Sequence, residues 1–150
     1  MKDYTEFAAL VDRIMHKYNQ WEGQKRCYGT DMLLSRSEIH TIVAVGDHPG
    51  INITTLAHIL GITKGAASQM IYKLVDKGVV NKSVSPDSDT EVVLQLTERG
   101  LINYRSHQAY HQQNNDDFFS LLKDMPAELY TQLFQALSAF EGNLDDRLQK

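Results

Sequence analysis

Two short helices separated by a tight turn, then a β-hairpin, with long amphipathic stretches on either side, predict a mainly α fold with a small β-wing. Three observations carry this. Gly61 and Thr63 punctuate two short segments of helical apolar spacing. Val79–Val80 and the alternating run Val92–Leu96 bracket a turn-rich tip, Ser85-Pro-Asp-Ser-Asp89. Apolar stripes of helical period mark both ends of the chain. That order is a winged helix-turn-helix flanked by N- and C-terminal dimerisation helices.

The 150 residues fit a single domain, with the winged core at about 34–98 and the flanking helices at 1–28 and 99–150. With 42% apolar and 23% charged residues, the chain reads as an ordinary soluble globular protein able to bury a core without metal or disulfide staples. Cys27 is the one cysteine, which excludes an internal disulfide and fits a reducing cytosol. No stretch approaches the length of a membrane span, and the polar, acidic start from Met1 to Glu6 is unlike a signal peptide. The expected location is the cytoplasm.

Each element follows from local chemistry. Phe7, Leu10, Val11, Ile14, Met15, Tyr18 and Trp21 predict a helix over about 4–25. A turn-prone stretch around Cys27–Asp31 follows it. Ser35-Arg-Ser-Glu38 is a capping-box pattern opening a second helix, which Gly46–Gly50 ends. Ile53, Leu56, Ala57 and Leu60 mark a third, capped by Asn52 or Thr54 and stopped by Gly61. Thr63 caps a fourth through Ala67, Met70, Ile71 and Leu74, closed by Gly78. From Thr97 the chain is helical to about Asp124, and Pro126 opens a last helix as its first residue.

Charge is distributed unevenly. The net charge is −4, yet residues 51–85 hold Lys64, Lys73, Lys77 and Lys82 against Asp76 alone. The only basic third of the chain coincides with the helix-turn-helix. The outer face of its second helix carries Lys64, Gly65, Ser68, Gln69, Tyr72 and Lys73. In such motifs the N-terminal part of this helix enters the major groove of double-stranded DNA. Gln69 suits an adenine edge and Ser68 either strand. Thr63, Lys64 and Lys73 suit phosphates, which position without specifying. On pattern alone, a helical hairpin in another small domain is the alternative.

Several stretches resemble the MarR family of regulators. Leu34-Ser-Arg-Ser-Glu-Ile-His-Thr-Ile-Val43 resembles the opening of its winged core. Leu74-Val-Asp-Lys-Gly-Val-Val80 is similar to the end of its recognition helix, and Leu94-Gln-Leu-Thr-Glu-Arg-Gly100 to the second wing strand entering the dimerisation helix. The resemblance covers nearly the whole chain, and its specificity lies in the order and spacing of the pieces. It implies a bacterial, nucleoid-associated homodimer on a pseudo-palindromic operator, usually a repressor relieved by a ligand. One departure stands out. The family's wing carries Asp-x-Arg, whereas Ser88-Asp-Thr-Glu91 has no arginine, which leaves Lys82 as the nearest basic residue and makes wing contact with DNA weak.

His107 and His111 lie at i and i+4 on a helix, a spacing able to pinch a divalent metal. Together with Glu22 and His40 they resemble the principal metal site of the zinc-responsive repressors of that family. The resemblance implies Zn²⁺, and the ligand types also accept Fe²⁺, Mn²⁺ or Ni²⁺. The second zinc site of those repressors is not reproduced: Cys27 falls one residue off, and Ile39 and Ser106 stand where carboxylates are expected. The alternatives are a small-molecule effector, a chain without an effector, or a redox role for Cys27 beside Lys25 and Arg26. Histidines in a polar helical run are also commonly no more than solvated surface, and His16, His48 and His58 read that way.

An enzyme is not expected, since the chain has no phosphate loop, nucleophile elbow or paired carboxylates placed in a cleft. A winged-helix protein-interaction module is the remaining rival, favoured by the acidic wing tip and opposed by the basic face from Lys64 to Lys73. Steep salt dependence of DNA affinity separates the two.

Overall fold

The computed structural model describes residues 4–88 and 90–148, so Asp89 of the wing tip lies outside the described residues. Helix α1 spans Tyr4–Glu22 and stops at Gly23. Strands β1 (Arg26–Cys27) and β2 (Leu33–Leu34) then pair as a minimal antiparallel hairpin. The local sequence signals only a turn here, because two-residue strands are too short to show a period.

Helix α2 (Arg36–Asp47) opens with the expected capping box: Ser35 Oγ accepts from the Glu38 N–H and the Glu38 carboxylate accepts from the Ser35 N–H. Strand β3 (Ile51–Asn52) leads into α3 (Ile53–Leu60). Of the two candidate caps, Asn52 does the capping, its side-chain oxygen accepting from the Thr55 N–H at 2.8 Å. Gly61 ends α3 at φ 64°, a left-handed conformation that glycine adopts without strain. Helix α4 (Lys64–Asp76) is capped by Thr63.

The wing is β4 (Val80–Val84) against β5 (Val92–Leu96), with Lys82 opposite Leu94. β3 adds to the other edge of β5, giving a three-stranded antiparallel sheet in the order β3-β5-β4. Helix α5 runs Glu98–Leu122 and α6 Ala127–Leu148. Pro126 was expected as the first helical residue. It instead immediately precedes α6, where its carbonyl accepts from the Tyr130 N–H at 3.0 Å. A cap carbonyl needs no N–H of its own, so proline fits there equally well.

Two compact units divide the chain, Met1–Gln108 and Ala109–Lys150, with the division inside α5. The first holds the winged core. Leu34, Ile42, Leu56, Ile71, Leu74, Val79, Val80 and Leu94 are fully buried there. In α4, Ala67, Ile71 and Leu74 recur at four- and three-residue steps, so one stripe is inward and the opposite face is left outside. The second unit contains α6, none of whose residues is buried.

The start of α5 is locked to the wing. Thr97 donates its N–H to the Val79 carbonyl and its hydroxyl to the Gly78 carbonyl, and accepts from the Gly100 N–H. Gly100 is itself buried, and a Cβ there would overlap the Val79 carbonyl oxygen. Backbone rather than a flexible side chain blocks it, so Gly100→Val is expected to destabilise the fold by roughly 1–3 kcal/mol, as overpacking does. Urea unfolding monitored by circular dichroism checks this, and an unchanged midpoint would remove the close approach.

Candidate functional site

The outer face of α4 is exposed as its periodicity requires. Thr63, Lys64, Gly65, Gln69, Tyr72 and Lys73 are exposed and Ser68 is half-buried. Thr63 Oγ1 accepts from the Ala66 N–H at 3.2 Å, which leaves its hydroxyl proton to donate outward. Gly65 has open space where a Cβ would point, so no neighbour within the chain demands a glycine there. Tyr72 is 72% exposed, an unusual cost for an aromatic ring on a monomer surface. Lys82 is exposed on β4.

The wing tip supplies little positive charge. Asp87 and Glu91 flank it, and Glu91 faces inward to the motif: its carboxylate accepts from Asn52 Nδ2 at 2.6 Å while its carbonyl accepts from the Ser85 N–H. The residue that caps α3 thus also ties the wing base to the helix-turn-helix.

Lys73 has a partner that spacing did not reveal. Its ammonium lies 2.9 Å from Glu38 Oε1, and that of Lys77 lies 2.7 Å from the same oxygen. Glu38 is 2% exposed, and its other oxygen accepts the capping-box N–H of Ser35. Burial alone would raise the carboxyl pKa. The hydrogen bonds from Lys77, the Ser35 N–H and Lys73, with the Lys77 charge, more than offset this and hold it at about 2. A signal existed in the sequence. Lys73 and Lys77 at i and i+4 share one helix face, and Glu38 is the acidic member of a cap opening an otherwise apolar helix.

Glu22, His40 and His107 lie elsewhere in the first unit. Glu22, at the last turn of α1, is 6% exposed; its Oε2 lies 3.5 Å from Arg36 Nε and 3.8 Å from His40 Nε2. His107 on α5 is likewise 6% exposed. The His40 and His107 rings meet edge to face at 5.6 Å, and each can offer a ring nitrogen within 4.8 Å of the other. His111 is half-buried one turn further along α5. Two convergent imidazoles suit a borderline cation, and the buried Glu22 carboxylate stands beside one of them, His40. Arg36 now neutralises that carboxylate, so a metal would have to share or displace it.

The α1–α2 connection is hung on α5. Asn103, fully buried, donates from Nδ2 to the Tyr28 carbonyl at 2.6 Å and to Thr30 Oγ1 at 3.0 Å. Gly29 adopts φ 69°, and a Cβ on it would run into Ser106 Oγ. Tyr28 presents its ring to His107 with centroids 5.3 Å apart. Sequence reasoning missed Tyr28 and Asn103, since nothing local marks a contact across so long a separation. Cys27 is exposed on β1 and Ile39 belongs to the core. The Arg26 guanidinium lies 4.9 Å from the Trp21 ring centroid and donates to the Trp21 carbonyl. Tyr104 links α5 to α2 by donating to Asp47 Oδ1 at 2.6 Å, and that carboxylate, with some desolvation, raises the phenol pKa.

A helix with an exposed donor-rich face, followed by a β-wing within a three-stranded sheet, defines a winged helix-turn-helix protein. The MarR family model matches residues 34–92, from β2 to the first residue of β5. The chain is 29% identical over 123 residues to the HTH-type transcriptional regulator YhjH of Bacillus subtilis, spanning 74% of this chain and 70% of that one. The fold matches FabT of Streptococcus pneumoniae, solved in complex with DNA, with TM-score 0.77 at 22% identity over 96% of this chain and 99% of that one. It also matches the zinc-responsive MarR family member ZitR of Lactococcus lactis, with TM-score 0.74 at 16% identity over 92% and 99%. The curated proteins the chain resembles are HTH-type transcriptional regulators. Among the described residues no helix is long and apolar enough to cross a membrane.

Because the Glu38 carboxyl is held near 2 in the fold against an ordinary 4.5, its stabilising contribution is complete above about 4.5 and is lost as pH falls toward 2. Glu38→Gln is therefore expected to be less stable than the parent at neutral pH, with the gap closing between those two values. Thermal melts of both proteins across that range check the sign.

Proposed function

We propose that this chain is a sequence-specific DNA-binding repressor that acts as a homodimer on a pseudo-palindromic operator and takes a divalent metal as effector. The observation that carries the DNA reading is the outer face of α4, where exposed Lys64, Gln69 and Tyr72 surround a glycine that nothing in the chain requires. The α4 N-terminus carries a partial positive charge and unpaired N–H groups, which suit a phosphate beside Thr63 and Lys64. Gln69 and Ser68 then face base edges. Lys82 is the wing's contribution, and Asp87 and Glu91 limit it.

The dimer reading draws on exposed apolar surface. Phe7, Leu10 and Ile14 on α1, and Phe134, Leu137 and Phe140 on α6, are each at least 45% exposed in the single chain. So much apolar area is typical of surface that a second copy covers. Two recognition helices also double the phosphate contacts, and their half-sites would lie about 34–36 Å apart.

For the effector, Glu22, His40, His107 and His111 would hold Zn²⁺ or another divalent metal. When bound, the ion would supply a charged link joining α1 and α2 to α5. The relative named as zinc-responsive is similar in fold, and the partial match of donors here supports the reading. Coupling would be reciprocal, DNA altering metal affinity as much as metal alters DNA affinity. A small organic effector is the second reading. An apolar cleft of about 390 Å³ between α2 and the α3–α4 turn, lined by Arg36, His40, Leu60, Ile62 and Met70, favours it.

Gln69→Ala is expected to weaken binding to the preferred site by roughly 1–3 kcal/mol and relax selectivity at one base pair, read by a competition series of single-base operator variants. Unchanged preference would take Gln69 out of the base-reading set.

A zinc titration of the metal-free protein on fluorescent promoter DNA, read by anisotropy, tests the effector. Zinc is expected to change DNA affinity, and His107→Ala with His111→Ala to erase that change while the fold persists. Tight DNA binding indifferent to zinc would favour the organic ligand.

A further inference from the structure

We infer that Glu38 is a positioning residue that withholds Lys73 and Lys77 from DNA, so that α4 meets a duplex without its two C-terminal lysines. This rests on the DNA reading of α4 and deepens it. Both ammonium groups are within 3 Å of one carboxylate oxygen, at 2.9 Å and 2.7 Å. The carboxylate is anchored on its other side by the Ser35 N–H at 2.8 Å, so it is fixed to the start of α2. Lys77 is bound further by the Leu33 carbonyl at 3.4 Å and is only 25% exposed. Pulling either ammonium away would weaken the compensation of a buried charge, which is costly.

The consequence for recognition is one of charge counting. Of the four lysines in the basic third of the chain, two are committed to Glu38, leaving Lys64 and Lys82 for phosphates. Phosphate contacts carry affinity for any sequence, whereas base contacts carry discrimination. A buried carboxylate that holds back two cations therefore lowers sequence-independent binding and leaves the share read by Ser68 and Gln69 intact. The same two ion pairs fix the C-terminal half of α4 against α2, which sets the direction in which its N-terminal half projects.

The test is the slope of log affinity against log salt, measured for the full chain on DNA from its own promoter and on a random duplex of equal length. Lys73→Met keeps the Lys77–Glu38 pair, so the buried charge stays compensated; it is expected to leave the parent slope unchanged on both DNAs. Glu38→Gln frees both lysines; it is expected to steepen the slope by about 0.9 for each freed lysine that reaches a phosphate, to tighten random-duplex binding and to narrow the specificity ratio. A merely structural role for Glu38 would lower the melting temperature without steepening the slope. A flatter slope in Lys73→Met, by about 0.9 per lysine, or an unsteepened slope in folded Glu38→Gln, overturns the inference while leaving DNA binding intact. If Glu38→Gln does not fold, the Lys73→Met slope decides alone. Parent protein with no salt-dependent DNA affinity overturns the DNA reading and this inference together.

Discussion

The carboxylate of Glu38 is the point on which the reading head depends. It closes the capping box that starts α2 and at the same time holds two lysines of α4. An ionised group with almost no exposure is tolerable only when its oxygens are occupied, and here each oxygen is. Removing both lysines would leave the charge uncompensated, so the pairing resists loosening. The result is a helix-turn-helix whose orientation rests on directional contacts as well as on the apolar stripe of Ala67, Ile71 and Leu74.

A second constraint ties this head to the start of α5. Thr97 makes three hydrogen bonds at the junction of β5 and α5, and Gly100 lets the first turn of α5 lie directly against the backbone at Val79. Asn103 and Gly29 then bring the α1–α2 connection onto the same helix, next to His107. Residues separated by more than seventy positions thereby share one neighbourhood with Glu22 and His40. That neighbourhood lies on the elements leading directly to the wing and to α2, a suitable location for an effector to influence the head.

The acidic balance of the chain acquires a meaning in this arrangement. Its positive charge is concentrated in the helix-turn-helix, part of that charge is neutralised internally, and the wing tip adds Asp87 and Glu91. On the reading proposed for α4, little is left to attract DNA regardless of sequence, and discrimination would fall to a short stretch of that helix. Glu91 is also structural, since it anchors Asn52 and with it the start of α3. The missing wing arginine is thus accompanied by a different use of the wing base.

The sequence by itself determined what short-range chemistry controls. Caps at Ser35, Asn52 and Thr63, stops at Gly61 and Gly78, and the stripe of α4 are all set by residues within one or two turns, and each is where periodicity and capping rules put it. The exposed set from Thr63 to Lys73 followed, because the outward face is the complement of the buried one. Only the tertiary structure decided which polar groups meet. The partner of Lys73, the hanging of Tyr28 on Asn103, the pairing of β3 with β5 and the approach of His40 to His107 depend on chain segments far apart in sequence. Local pattern carries no record of such contacts, since side-chain spacing fixes which face a residue occupies and packing alone fixes what that face touches.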